Sequence, residues 1–451
     1  MTGDESDVQG NILRGYTHLP HVTYMFFRIV EPDRARGMLA KLVDDVTTDA
    51  SWRSLSEVPE TLNLAFTYSG LAKLGRRRSF DSSEFTEFRE GMCARAREYL
   101  VDRDENDPDH WEPELRDTAD VLCTVYWDGT ETGKETVARI HARLAAGGLE
   151  LAYLQRADTL KGHRERFGFK DGYSQPVVEP VANGAGTRAT EGEGVLEPWN
   201  LLKGRLRPEW RPVRVGEFLL GHLDEDDVTP GEDDPSLRNG TFMVWRKLRQ
   251  HVDRFEQFLD RAAGADPERR AWLEAKVVGR WRNGTSLIQA PYRSPQDHPR
   301  GSRPDNAFVY GADPAGVSCP VGAHVRRAYP RDGLGWWTHR TRRHRIIRRG
   351  VPYDDRDEGC GLIFVCFNAS ISRQFELIQG NWLMDGDAFG LGADRDLLTG
   401  YEPAGGKMTI QGDRKRPATF LSRPDKQFVT TRGGYYLFVP GIEGLRRIAS
   451  A

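Results

Sequence analysis

The chain has 451 residues, a net charge of −3, 29% charged and 38% hydrophobic residues. That length exceeds one ordinary core and predicts two domains, while the near-balanced charge excludes a general affinity for nucleic acid or anionic membrane. No apolar run approaches the ~20 residues of a spanning helix. The acidic, polar start MTGDESDVQGN has no secretory signal. The five cysteines (Cys93, Cys123, Cys319, Cys360 and Cys366) form no CxxC pair and no disulfide framework. A cytoplasmic, soluble protein is expected.

Residues 1–20 read as an arm. Tyr24–Val30 (YMFFRIV) is a continuous apolar run and predicts a buried strand. Pro32 and Asp33 open a helix with Met38, Leu39, Leu42 and Val43 on one face. Leu62–Thr67 is a second strand, followed by a short helix capped by Ser69 and ended by Gly75. The charged segment 80–113 is predicted to be helical and external. Val121–Trp127 is a third strand. Glu135–Ala146 is an amphipathic helix stopped by Gly147 and Gly148, and Leu149–Gln155 is a fourth strand. Strand, helix, strand, strand, helix, strand is the ferredoxin-like order with one helical insertion.

Residues 182–214 read as a long crossing segment. The acidic loop Asp224–Asp234 reads as solvated, since its spacing lacks the ligand order of a calcium loop. The pattern then restarts. Thr241–Trp245 is a strand, Arg249–Ala263 a helix, and Asp266 caps another helix with Leu273, Val277 and Trp281 in phase. Gly361–Phe367 is a buried strand, Ile371–Gly380 a helix, and Phe428–Pro440 two short strands around Arg432-Gly433-Gly434. The expected fold class is therefore α+β and duplicated, with residues 1–195 and 196–451 as the halves. Pockets favour such an interface.

Three sites carry chemistry. His324 stands in CPVGAHVRRAYPR, Cys319–Arg331. A lone histidine is more often a satisfied core residue than a metal ligand. Its surroundings point to an anion, because residues 321–350 hold nine arginines against one acid, Asp332. A haem, with two propionates and an iron that takes a neutral imidazole, answers both features; a nucleic-acid patch is the rival. Asp171, in GFKDGYSQP, is either a turn residue or a carboxylate held on a glycine-permitted backbone for proton transfer. In RIIRRGVPY, alternation along an extended segment turns one of Arg348 and Arg349 inward as a fixed cation and leaves the other to solvent.

These motifs, in order, resemble the dye-decolorizing peroxidase family in its longer bacterial branch. The distal GxxDG motif stands at Gly168–Gly172, the proximal histidine motif at Ala323–Arg331 and the RRGxPY element at Arg348–Tyr353. Further matches are QGNILRGY at Gln9–Tyr16, GEFLLG at Gly216–Gly221, NGTFMVWRKL at Asn239–Leu248 and GLIFVCFNASISRQFE at Gly361–Glu376. The resemblance implies two ferredoxin-like halves with haem b between their sheets. It implies His324 as the proximal iron ligand, Asp171 as the distal acid–base residue and Arg348 as the distal arginine. Arg331 would meet a propionate, and Leu362 and Phe364 would line the distal pocket. Hydrogen peroxide and phenolic, dye-like or other small aromatic donors would be the substrates, with electrons relayed by Trp336, Trp337 or Tyr329. One departure is visible: Tyr329 replaces the usual asparagine before Pro330-Arg331. It keeps open a haem-binding protein with little peroxidase turnover, for storage, sensing or a specialised oxidation. An interaction module without haem is the third reading.

Overall fold

The computed structural model describes residues 5–50, 58–180, 193–196, 210–295, 306–334, 339–355, 359–403, 405–423 and 426–450. The first half contains β1 (His21–Ile29), α1 (Pro32–Leu42), β2 (Glu60–Phe66), α2 (Tyr68–Lys73), β3 (Val121–Trp127), α3 (Glu131–Ala146) and β4 (Leu149–Asp158). Its strands are antiparallel in the order β4-β1-β3-β2, the ferredoxin-like arrangement. The second half contains β5 (Thr241–Gln250), α4 (Val252–Ala263), α5 (Pro267–Val278), α6 (His324–Ala328), β6 (Ile347–Arg348), β7 (Val351–Asp355) and β8 (Gly359–Asn368). A π-helix (Ile371–Leu383), β9 (Val429–Val439) and α7 (Ile442–Ala449) follow. Here the order is β9-β5-β8, with β6 and β7 both on the far edge of β8. The duplication expected from the sequence is present.

The two sheets join edge to edge through β2 and β9, at Phe66 and Phe438. The joined sheet rolls until its ends meet, where Gln155 of β4 donates to Asp355 of β7 at 3.2 Å. Alternation then sorts the strands into two faces. Tyr24, Phe26, Leu122, Trp245, Ile363, Val365, Tyr435 and Leu437 fill the interior of the roll. Met25, Phe27, Leu64, Cys123 and Val125 face outward and are sealed under the helices of the first half. Each such fully buried side chain contributes about 1.5–3 kcal/mol relative to exposure.

Several local expectations are corrected. Residues 80–113 form a series of short helical pieces, Thr86–Glu90 and Met92–Arg95 among them, rather than one continuous helix, and they are only partly external, since Phe80, Phe85, Phe88 and Met92 belong to the main core. Thr67, not Ser69, caps α2, its Oγ1 accepting from the Gly70 amide at 3.1 Å. Strand β5 runs on to Gln250, so the next helix starts at Val252. The left-handed Gly279 ends α5 before Trp281. Residues 429–439 are one strand with an irregularity at Gly433 (φ 144°), where a Cβ would stand 2.2 Å from the Leu115 Cβ. The arm is not loose: Gln9 is fully buried and its amide donates to the carbonyls of Leu64 and Pro440, at the seam between the halves.

The acidic loop is not simply solvated either. Asp224 and Glu225 are buried and paired with Arg373 and Arg211 at 2.8 and 2.5 Å. Among the described residues no group of His, Cys, Asp and Glu is arranged to hold a metal ion, and no helix is long and apolar enough to cross a membrane. Most of the crossing segment 182–214 and both Trp336 and Trp337 lie outside the described residues.

Candidate active site

A cavity of about 280 Å³ lies on the outward face of the second half. Its floor is the outer face of β5 and β8, where Arg246, Leu248, Leu362 and Phe364 point away from the filled interior. The space between the two sheets, where the resemblance placed the cofactor, is instead packed with aromatic side chains. Loop 165–174, α6 and the π-helix enclose the cavity from the sides. His324, Asp171, Arg348, Arg331, Leu362 and Phe364 all line it. The alternation predicted for Leu362 and Phe364 holds, with Ile363 and Val365 on the opposite, interior face.

His324 opens α6 after the Ala323 N-cap. Its Nδ1 lies 3.1 Å from Oδ2 of Asp396, a buried carboxylate 72 residues further on. The other carboxylate oxygen accepts from the Thr399 amide and hydroxyl at 2.7 and 2.9 Å. Desolvation pulls the imidazole pKa down, but the charge and hydrogen bond of Asp396 outweigh it, and the net shift is upward. Desolvation raises Asp396 in turn, and His324, together with the Thr399 amide and Arg327, more than reverses that, leaving the carboxyl below its ordinary range. The bond commits Nδ1 and leaves Nε2 without a hydrogen bond among the described residues. Asp396 escaped sequence reasoning; its only local mark is Asp-x-x-Thr, which any capping turn shares.

Asp171 lies across the cavity on a loop that two positive-φ glycines, Gly168 and Gly172, allow to turn. Its Oδ1 accepts from the Gly172 amide at 2.6 Å, while Oδ2 has no hydrogen bond among the described residues. The residue is exposed rather than enclosed in a dry pocket. Glu165 pins the loop from beneath. Its carboxylate accepts from the amides of Phe167 and Phe169, both at 2.8 Å, and from Gln250 at 2.6 Å, and burial raises its pKa.

Arg348 faces the cavity and donates to the Tyr173 carbonyl, two residues from Asp171. The Gln175 amide pairs with its backbone in both directions, at 3.0 and 3.1 Å. Arg349 does point the other way, but not into solvent: it donates to the carbonyls of Asn11 and Ile12 in the arm. Burial pushes its pKa down to about 10. The arginine cluster thus divides. Arg326 pairs with Asp313 at 3.2 Å, Arg327 donates to the Trp382 carbonyl at 2.7 Å, and Arg342 and Arg343 reach Glu225 and Asp226. Arg331, Arg345 and Arg348 line the cavity and form no ion pair among the described residues. Arg331 donates to the Asn306 carbonyl and side chain at 2.8 and 2.5 Å and to the Ser174 hydroxyl at 3.0 Å; burial pushes its pKa down to about 10.

An imidazole with one committed nitrogen, a largely apolar floor and cavity arginines without an ion pair among the described residues together fit a dianionic iron porphyrin. The comparisons with known proteins agree. Residues 7–157 match the profile described as the DyP dimeric alpha+beta barrel domain, and residues 221–401 match the Dyp-type peroxidase C-terminal domain. The chain belongs to the dye-decolorizing peroxidase family. It is 28% identical to a dye-decolorizing peroxidase of Mycena epipterygia, over 99% of this chain and 87% of that one. It is 26% identical to dye-decolorizing peroxidase msp1 of Mycetinis scorodonius, with the same coverage. A solved ancestral D-type dye-decolorizing peroxidase aligns with a TM-score of 0.81 at 27% identity, covering 99% of each chain.

Proposed function

We propose that the chain is a haem-dependent peroxidase that reduces hydrogen peroxide while oxidising phenolic, dye-like or other aromatic donors in one-electron steps. The observation that carries this reading is the two-sided cavity, with the His324–Asp396 pair on one wall and Asp171 with Arg348 on the other. Haem b, when bound, supplies the redox-active iron. His324 would ligate it through Nε2, with Asp396 fixing the tautomer and orientation of the ring. Arg331 would meet one propionate, and Leu362 and Phe364 would bound the distal side.

Asp171 would take the proton from one peroxide oxygen and return it to the other, through Oδ2. Arg348, held by Tyr173 and Gln175, is a fixed cation suited to the charge that develops as the O–O bond breaks. Tyr329 occupies the proximal edge and displaces none of these groups, so the alternative of a haem protein with little turnover is not favoured. The division at residues 195 and 196 is supported by the main sheet, whose first strand set ends at Asp158 and whose second begins at Thr241. A cytoplasmic location is supported by the five free cysteines.

The test is an absorption spectrum of the haem-reconstituted protein before and after one equivalent of peroxide. A Soret band that changes within the mixing time is expected, and His324→Ala is expected to lose the band at stoichiometric haem. A wild-type protein without a Soret band after reconstitution refutes the reading; a band that responds only slowly to peroxide favours the low-turnover alternative.

A further inference from the structure

Arg331, Arg345 and Arg348 line the cavity without an ion pair among the described residues; Arg348 and Arg331 have tasks in the proposed function and Arg345 has none. Arg345 is only 4% exposed, yet it lines the cavity. Its Nη1 donates to the Tyr329 phenol oxygen at 2.8 Å and its Nη2 to the Ser174 carbonyl at 3.2 Å. It therefore bridges the proximal segment that carries His324 and the distal loop that carries Asp171. The guanidinium also lies 4.0 Å from the centre of the Tyr329 ring, within cation–π range. These contacts hold the cation in place without neutralising it. They use two of the five N–H donors a guanidinium offers. Burial lowers its pKa; Tyr329 and the Glu193 carboxylate oppose that in part, and Arg348 adds repulsion, so the net shift is downward. A buried, repelled cation at the edge of a cavity is best satisfied by an anion that enters the cavity.

Tyr329 is the position at which this chain departs from the family pattern. An asparagine side chain could not offer an aromatic face. The ring has two arginines near it, Arg345 at 4.0 Å and Arg331 at 5.5 Å from its centre. On the footing of the haem-peroxidase reading, we propose that Arg345, held by Tyr329, is a second carboxylate subsite of the cavity, separate from Arg331. A carboxylate matches the planar fork of a guanidinium in shape as well as charge. It belongs either to the second propionate of the bound porphyrin or to an acidic aromatic donor seated beside it. Tyr329 is a positioning residue, acting through Arg345.

The full-length apo-protein is titrated with protohaem IX and with its dimethyl ester, in which both propionates are neutral, and binding is read from the Soret band. Arg345→Gln is expected to weaken protohaem binding about tenfold and to leave the ester unaffected. Arg345→Lys restores most of the difference, and Tyr329→Phe, which keeps the ring and loses the hydroxyl, weakens protohaem about threefold. Should both haems bind Arg345→Gln as they bind wild type, KM is compared for 4-hydroxyphenylacetate and phenol. A rise of about tenfold for the carboxylated donor alone assigns the subsite to the donor. Equal weakening of both haems, or no change in either measurement, overturns the subsite. A wild-type chain that takes up neither haem overturns the peroxidase reading itself.

Discussion

The two halves share a strand order and differ in what they do with one face. In the first half, the outward face of β1, β2 and β3 is apolar through its middle: Met25, Phe27, Leu64, Cys123 and Val125 are all sealed beneath helices. In the second half the equivalent face starts the same way, with Phe242 and Val244 on β5 in the same core. It then changes to Arg246, Leu248 and Gln250 on β5 and Leu362 and Phe364 on β8, all facing the cavity. There Arg246 pairs with the buried Asp102 and the Gln250 amide donates to Glu165, each at 2.6 Å. The covering elements are α6, the π-helix and a loop lent by the first half. The sealed half contributes stability and the open half the site, although the loop bearing Asp171 crosses from one to the other.

Breaking the open face has the largest expected consequence. Asp171→Asn should lower kcat/KM for peroxide by about 10²–10⁴-fold, and Arg348→Leu by about 10²–10³-fold, with the haem spectrum retained in both. Stopped-flow mixing with peroxide measures this; wild-type rates in both variants would leave the distal assignments wrong. The sealed face should behave in the opposite sense. Phe27→Ala should cost about 3–5 kcal/mol of stability in denaturant unfolding and leave the Soret band of the folded protein where it was. Leu362→Ala, at a half-buried position beside the cavity, should cost about half as much and move the band.

Asp396→Asn sharpens the contrast more gently, because it removes a charge that orients His324 rather than a group that meets peroxide. A loss of about 10–100-fold in haem affinity or turnover is expected, read by Soret titration.

The smallest effect is a pH dependence in the first half. Burial pushes the Asp117 carboxyl up to about 7 against the opposing hydrogen bonds from the Cys93 and Met92 amides. The folded state therefore holds a proton that the unfolded state releases near pH 4. This group's contribution to stability is fully present below that pH, is lost as pH rises toward 7 and stays lost above it. Asp117→Asn should flatten that decline, raising Tm relative to wild type at pH 8 more than at pH 4. Thermal unfolding at the two pH values decides it; equal shifts would show that Asp117 does not titrate in the folded protein.

Much of this was legible in the chain itself. Strand β3 falls at Val121–Trp127 as its β-branched and aromatic run requires, and α1 begins at Pro32, where a missing amide hydrogen costs nothing. Where the pattern misled, the cause was long-range. The 80–113 segment has helix-forming composition, but its phenylalanines are drawn one by one into the core beside Phe242 and Phe438. Strand β9 looked broken at Arg432-Gly433-Gly434, yet β5 supplies a partner on both sides of the irregularity. Arginine counting over residues 321–350 pointed correctly to an anion but overstated the cluster, because Asp313, Glu225 and Asp226 neutralise part of it from distant segments.

Local chemistry in the sequence determined the repeating α+β order, the glycine-flanked Asp171, His324 among arginines, and the alternation that puts Leu362 and Phe364 on one face. These depend on backbone preference and periodicity, which act within a few residues. Tertiary structure alone decided that the cavity lies outside the roll, that Asp396 holds His324, that Arg349 serves the arm and that Arg345 stands over Tyr329. Each of these depends on which distant segment supplies a hydrogen-bond partner or leaves a charge unpaired, and no local pattern encodes that choice.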